Sequence, residues 1–276
     1  MKSVGIIGLG LMGGSFAKAL RAAYKEIDIF GFDQNKLNEK EAISLNIVDK
    51  VVSFDEILIC DLIVLAVPVK AIIDITQSIK KLLPNQTIID FGSTKEKIVK
   101  AIPDNIRENF VALHPMAGTE KSGPKAAIDD LYRGKIVVLC DIEDSGSYQK
   151  DLVEKLFKKI GMNIVYMDSH SHDRDAAYIS HMPHALSFAL ANVVLKHEDP
   201  KSILALSAGG FKSMSRIAKS SPNMWSDIFE QNSDNLIESI EKFEDELSRL
   251  KNLVKDKHFD EVKEFIKEAN NLHKLI

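Results

Sequence analysis

The chain has 276 residues, with 40 acidic against 36 basic side chains and a formal charge of -4. That balance excludes the basic footprint of a nucleic-acid binder and the charge block of a disordered acidic tail, and no apolar run reaches the roughly 18 residues of a membrane span. The length accommodates two cores at about 150 residues each.

The first strand pattern, residues 4–7, starts almost at the first residue, so no secretory leader is expected. Gly8-Leu9-Gly10-Leu11-Met12-Gly13-Gly14 follows and opens a helix that runs to about Leu20. The glycines serve separate purposes, with a tight turn at Gly8, close approach of the Gly10 backbone to a pyrophosphate, and close helix-to-strand packing at Gly13. Free amides at the helix start, around Leu11 and Met12, then face the phosphate charge. A second strand, residues 27–32, ends in Asp33, where a carboxylate accepts the adenosine ribose hydroxyls. Asp33 repels a 2'-phosphate, which favours NAD over NADP, although Lys36 lies close enough to soften that choice.

Further apolar strands are expected at residues 62–67, 87–91, 110–113, 136–140 and 163–167, with helical stretches between them. That alternation predicts an α/β fold with a doubly wound parallel sheet. Twelve of the fourteen glycines lie at or before Gly161, and from Asn223 onward there is neither glycine nor proline. The composition thus divides the chain into a dinucleotide-binding domain, residues 1–168, and a helical domain, residues 169–276. In the latter Leu236, Ile240, Phe243, Leu247, Leu250 and Val254 recur at steps of four and three, an amphipathic seam expected to bury a dimer interface. Cys60 and Cys140 sit beside apolar runs far apart and read as reduced thiols. A cytoplasmic protein is expected, with no membrane or nucleic-acid partner.

In the strand order 3-2-1-4-5-6, strands four to six meet on the nicotinamide side of such a sheet. Strand four ends at Val67-Pro68, strand five at Asp90-Phe91-Gly92-Ser93, and strand six at His114. Val67 and Pro68 then border the cofactor, and Ser93 and His114 flank the reactive ring. Two plainer roles compete: Ser93 with Glu96 has the spacing of a capping box, and a histidine at a strand end can be a satisfied core residue.

Taken together, Gly8 to Gly14, Asp90-x-Gly-Ser93-x-Lys95, His114-Pro-Met-Ala-Gly-Thr-Glu120, Ile179-Ser-His181-Met-Pro-His184 and the segment 211–218 resemble, in order and spacing, the prephenate dehydrogenase family over residues 4–230. The resemblance implies a Rossmann domain followed by an all-helical domain through which two subunits dimerise. It also implies NAD-dependent oxidative decarboxylation of prephenate to 4-hydroxyphenylpyruvate in tyrosine biosynthesis, with tyrosine itself as a possible feedback ligand. His114 is then the acceptor of the substrate C4 hydroxyl proton and Ser93 a hydrogen-bonding partner of the same hydroxyl. His184 contacts the substrate side chain, His181 supports the site, Arg216 clamps the ring carboxylate, and Thr119 and Glu120 border the substrate. A neutral imidazole is required of the base, so activity is expected to fall as pH drops through about 6 to 7.

His181 and His184 share a helix face, and Pro183, lacking an amide hydrogen, should interrupt that helix near Ile179. A metal site on this pair is disfavoured, because the segment lacks an HExxH arrangement and hydride transfer needs no Lewis acid. The segment Phe211-Lys212-Ser213-Met214-Ser215-Arg216 departs from the family, where an acidic residue stands three positions before the arginine. Any ion-pair gate must then rest on Glu120 and Arg216 alone. Two rival readings remain: arogenate dehydrogenase, the same reaction on a substrate with an amino group in the side chain, and a non-catalytic NAD-binding sensor dimer, against which the retained His114, Ser93, His184 and Arg216 argue.

Overall fold

The computed structural model describes residues 1–275. The chain begins with β1 (Ser3–Ile7), α1 (Leu11–Ala23), β2 (Asp28–Phe32), α2 (Lys36–Ser44) and a short β3 (Lys50–Val51). It continues through α3 (Phe54–Ile57), β4 (Leu62–Leu65), α4 (Val69–Ser78), β5 (Thr87–Asp90), α5 (Glu96–Ala101), β6 (Phe110–Pro115), β7 (Ile136–Cys140), α6 (Ser147–Ile160) and β8 (Asn163–Met167). These strands form one sheet in the order β3-β2-β1-β4-β5-β6-β7-β8. Because successive strand residues point to opposite faces, Val4 and Ile6 pack with Phe16, Leu20 and Phe157 on one side, whereas Ile63 and Leu65 pack with Ile72 and Ile98 on the other. Burial on both faces is why the central strands read as unbroken apolar runs.

The sheet departs from the expected all-parallel arrangement at one place: β7 pairs antiparallel with β6, while β7 and β8 are parallel. A parallel neighbour requires a crossover, usually a helix. Residues 116–135 carry only the 3-10 turn Pro124–Ala126, whereas α6 lies between β7 and β8. The segment 116–135 instead runs over α1, where Ser15 Oγ accepts the Ile128 amide at 2.9 Å and the Tyr132 hydroxyl donates to the Met12 carbonyl at 2.7 Å. β4 also stops at Leu65 rather than at Val67, because the chain turns there to start α4.

The remainder is helical: α7 (Ser169–Ala176), a π turn (Ala177–His181), α8 (Met182–His197), α9 (Pro200–Leu206), α10 (Gly209–Ser215), a 3-10 turn (Arg216–Lys219), α11 (Pro222–Gln231), α12 (Ser233–Lys255) and α13 (Phe259–Asn270). Pro183 sits in the first turn of α8, directly after the widened π turn. Its missing amide hydrogen interrupts the regular ladder, as the sequence predicts. The apolar seam on α12 is only partly covered within one chain: Leu236 is buried, but Leu247 and Val254 stay 53% and 48% exposed, and Leu195, Leu206 and Phe259 are exposed as well. Among the described residues no helix is long and apolar enough to cross a membrane.

Candidate active site

The turn between β1 and α1 is shaped by what a side chain would strike there. Gly8 has φ +94°, and a Cβ on it would run into the Ala66 carbonyl, with Val67 alongside; a Cβ on Gly13 would meet the Gly8 carbonyl. Gly10 instead faces open space, with only the Gly123 amide nitrogen 4.0 Å from where its Cβ would stand. As N-cap of α1 it supplies no side-chain cap, so the amides of Leu11, Met12 and Gly13 are left to an anionic ligand. Asp33 Oδ2 accepts from the Leu9 amide at 2.8 Å and from Asn38 Nδ2 at 3.2 Å, and its Oδ1 accepts from the Asn35 amide at 2.8 Å. Lys36, which could have offset Asp33, is paired with Glu39 at 2.9 Å. A bare helix start with an uncompensated carboxylate beside it fits NAD, whose adenosine ribose carries no 2'-phosphate. Pro68, exposed at the start of α4, and Val67 form the rim after β4.

β5 and β6 are paired neighbours, with Asp90 opposite Ala112, so Ser93 and His114 emerge together at the same end of the sheet. The expected capping box does not form. α5 begins at Glu96 with no cap from its own segment, and Ser93, partly buried, is free of that role. The cap comes from the helical half: Asp173 Oδ1 accepts the Lys95 amide at 2.7 Å and its Oδ2 accepts the Glu96 amide at 2.9 Å. A carboxylate satisfies two amides at once and carries the charge that the helix start favours, which a single hydroxyl cannot match. Asp227 Oδ2 does the same at the neighbouring helix α4, accepting the Val69 amide at 2.7 Å.

Beneath this edge Lys95 is fully buried in an ion pair with Asp90. Its Nζ donates to the Leu113 carbonyl at 2.8 Å, and Asp90 Oδ1 accepts the Leu113 amide at 3.2 Å. The pair therefore grips both backbone groups of the residue preceding His114. Burial pushes the Asp90 carboxyl upward, opposed by the charge of Lys95.

His114 Nδ1 lies 2.9 Å from His172 Nε2, and His172 Nδ1 lies 2.8 Å from Asp173 Oδ1. Desolvation, with unfavourable electrostatics from the nearby His172, Lys95 and His181, holds His114 well below the ordinary imidazole range. Its titration window is thus moved below the 6 to 7 expected from an unperturbed histidine, and at neutral pH the ring is a neutral acceptor.

His181 and His184 have separate surroundings. His181 is almost fully buried, receives a hydrogen bond at Nδ1 from Asn232 Nδ2 at 3.1 Å, and is driven down to about 4 by desolvation. Asn232 Nδ2 also donates to the Asp173 carbonyl at 2.7 Å. His184 donates from Nδ1 to the Ser180 carbonyl at 2.9 Å, which leaves Nε2 free, and it stacks on Trp225 at 3.7 Å between ring centroids. The Trp225 indole N–H is buried without a partner, a donor available to a ligand. Arg216 is exposed but close enough to His184 for its charge to depress that imidazole further below its ordinary value, after desolvation. Thr119 and Glu120 are exposed on the loop after β6, and no ion pair joins Glu120 to Arg216 among the described residues.

The sequence reading did not single out His172, Asp173, Asn232 or Trp225. The usable signal was the adjacency of two titratable residues, His172-Asp173, at the point where composition shifts from sheet to helices.

Comparison with known proteins places the chain. Residues 16–166 match the model described as prephenate dehydrogenase, nucleotide-binding domain, and residues 168–268 match prephenate dehydrogenase, dimerization domain. The chain is 30% identical to the cyclohexadienyl dehydrogenase of Zymomonas mobilis, covering 97% of this chain and 94% of that protein. It is 31% identical to the prephenate dehydrogenase of Lactococcus lactis, covering 99% of this chain and 79% of that one. Its fold superposes on prephenate dehydrogenase from A. aeolicus, solved with hydroxyphenyl propionate and NAD+, with a TM-score of 0.92 and 36% identity over 99% of this chain and 97% of that chain. The glycine turn, the paired strand ends and these matches over nearly the whole length lead to one conclusion: the chain belongs to the prephenate dehydrogenase family.

Proposed function

We propose that this protein is an NAD-dependent prephenate dehydrogenase, converting prephenate to 4-hydroxyphenylpyruvate and CO2. The observation that carries this reading is His114, a desolvated neutral imidazole with its Nδ1 engaged by His172, at the sheet edge it shares with Ser93 beside the glycine turn. NAD supplies a hydride acceptor when bound at that turn. The substrate bears a hydroxyl and a hydrogen on C4 and a carboxylate on the opposite ring carbon. As hydride leaves C4, positive charge builds at the C4 oxygen, and His114 relieves it by accepting the hydroxyl proton. The C–CO2 bonding pair then enters the ring, the product becomes aromatic, and the oxygen recovers its proton as a phenol.

In this reading Ser93 hydrogen-bonds the same hydroxyl, and Arg216 holds the ring carboxylate in its planar fork. His184, with its free Nε2, and the unpartnered Trp225 N–H meet the side chain; His181 supports them, and Thr119 and Glu120 border the pocket. The dinucleotide is held by Gly8, Gly10, Leu11, Met12, Gly13, Asp33, Val67, Pro68 and, on the nicotinamide side, Ser93. The functional domains divide at residues 168 and 169, and exposed apolar side chains of the helical half form the interface of a cytoplasmic homodimer. Tyrosine, which shares the product's phenol, is proposed as a feedback ligand of the same pocket. The relative named cyclohexadienyl dehydrogenase favours testing arogenate alongside prephenate. Steady-state rates with both substrates, each with NAD and NADP, test the proposal. It predicts that prephenate with NAD is the most efficient pair, and no turnover of prephenate would contradict it.

A further inference from the structure

Asp173 is 2% exposed, and its carboxylate collects three donors: the Lys95 and Glu96 amides at the start of α5, and Nδ1 of His172. An ionised carboxylate only accepts hydrogen bonds, so His172 must carry its proton on Nδ1. In the neutral ring Nε2 is then a bare acceptor, and the group facing it at 2.9 Å is His114 Nδ1, which must donate. His114 is left with its own lone pair on Nε2. The order of protons along this row thus follows from the carboxylate at its end.

We propose that Asp173, acting through His172, is a positioning residue of the reaction: it fixes His114 in the tautomer whose Nε2 is free for the C4 hydroxyl proton. This rests on the reading of His114 as the base. Because the same carboxylate closes the N-terminus of α5, the tautomer is set only while the helical half is docked on the sheet. Asn232, which donates to both the Asp173 carbonyl and His181, anchors the row from the α11–α12 junction. During the reaction the C4–H bond breaks as its electron pair leaves with hydride for the oxidised dinucleotide, and the substrate O–H bond breaks toward His114 Nε2, its electron pair forming C4=O. CO2 departs, leaving its bonding pair in the ring, and the resulting phenolate takes the proton back. While His114 is cationic, its Nδ1–H points at His172 and, beyond it, at the negative charge of Asp173. The other charged or titratable groups around it are Lys95 and Asp90 from β5 and the start of α5, and His181 from the π turn.

The test is Asp173→Asn, measured in the full-length enzyme beside His114→Asn. The amide has one acceptor oxygen where three donors converge, and it carries no charge. The expected result is a plateau kcat lower by at least about tenfold, as for other carboxylates that orient a catalytic imidazole, with NAD affinity and KM for prephenate changed less than about threefold. The acidic limb of kcat should also move to lower pH, because a cationic His114 loses its stabilising charge. A purely structural role lowers thermal stability but leaves the limb and the kcat of folded enzyme in place; that result overturns the inference. Should Asp173→Asn fail to fold, His172→Gln, which keeps an acceptor for His114 Nδ1–H, is expected to retain at least about tenfold more kcat than His172→Leu, and equal kcat in the two overturns it. Loss of activity in His114→Asn with unchanged kcat and limb in Asp173→Asn refutes only the positioning role. Full kcat in His114→Asn refutes the base assignment beneath it.

Discussion

Asp33 Oδ2 accepts the Leu9 amide at 2.8 Å, so the acidic residue after β2 also braces the glycine turn that it faces. Its charge is not offset by Lys36, which is committed to Glu39. NAD should therefore exceed NADP in kcat/KM by at least about tenfold. Asp33→Ser should narrow that gap and raise KM for NAD as well, because the turn loses a tether. Equal efficiency with the two cofactors in the wild-type enzyme would contradict this account.

Arg216 is the exposed cation beside His184 and has no carboxylate partner among the described residues. Arg216→Ala should raise KM for prephenate by roughly 10- to 150-fold, the equivalent of a charged hydrogen bond worth about 1.5 to 3 kcal/mol. NAD affinity, read by fluorescence titration, should stay nearly constant. An unchanged KM removes Arg216 as the carboxylate clamp and makes Lys212 the next candidate.

Acid should destabilise the fold through its buried imidazoles. His114, His181 and His184 all titrate below their ordinary value of about 6.5 because burial disfavours the charged ring, His181 reaching about 4. Between about 6.5 and those folded-state values the unfolded chain binds more protons, so stability is complete above 6.5 and is lost as pH falls. Thermal melts should give a lower Tm at about pH 4.5 than at about pH 7.5. A His181→Gln variant should show a shallower decline, and a decline as steep as that of the wild type would assign the effect elsewhere.

Leu195, Leu206, Leu247, Val254 and Phe259 are large apolar side chains of the helical half that a single chain leaves to water. Light scattering at micromolar concentration should report a dimer, and Leu247→Glu combined with Val254→Glu should weaken it. A stable, active wild-type monomer would contradict the assembly. A dimer unaffected by the double substitution would contradict its location.

Much of this molecule is legible in the sequence because the features involved are local. The glycine spacing fixes the turn at Gly8, unbroken apolar runs mark strands buried on both faces, and Pro183 marks the π turn. What escapes depends on distant partners. Ser93 and Glu96 have the spacing of a cap, yet a carboxylate from 77 residues further on takes the Glu96 amide instead. The direction of β7 is not written in its own residues either; it follows from the lack of a crossover helix in the segment before it. Burial likewise displaces His114 from the titration range that its residue type suggests.

The central claim is that neutral His114 accepts the C4 hydroxyl proton, and the pH dependence of kcat for prephenate oxidation, measured on wild type and His114→Asn, tests it most directly. The wild-type rate should be flat across neutral pH and fall only below the ordinary imidazole range, because His114 must be neutral and is held well below that range. His114→Asn should lose about two to four orders of magnitude in kcat and the acidic limb with it, while melting temperature and NAD affinity stay near wild type. A folded His114→Asn enzyme with near-wild-type kcat and an unchanged acidic limb would show that the proton goes elsewhere.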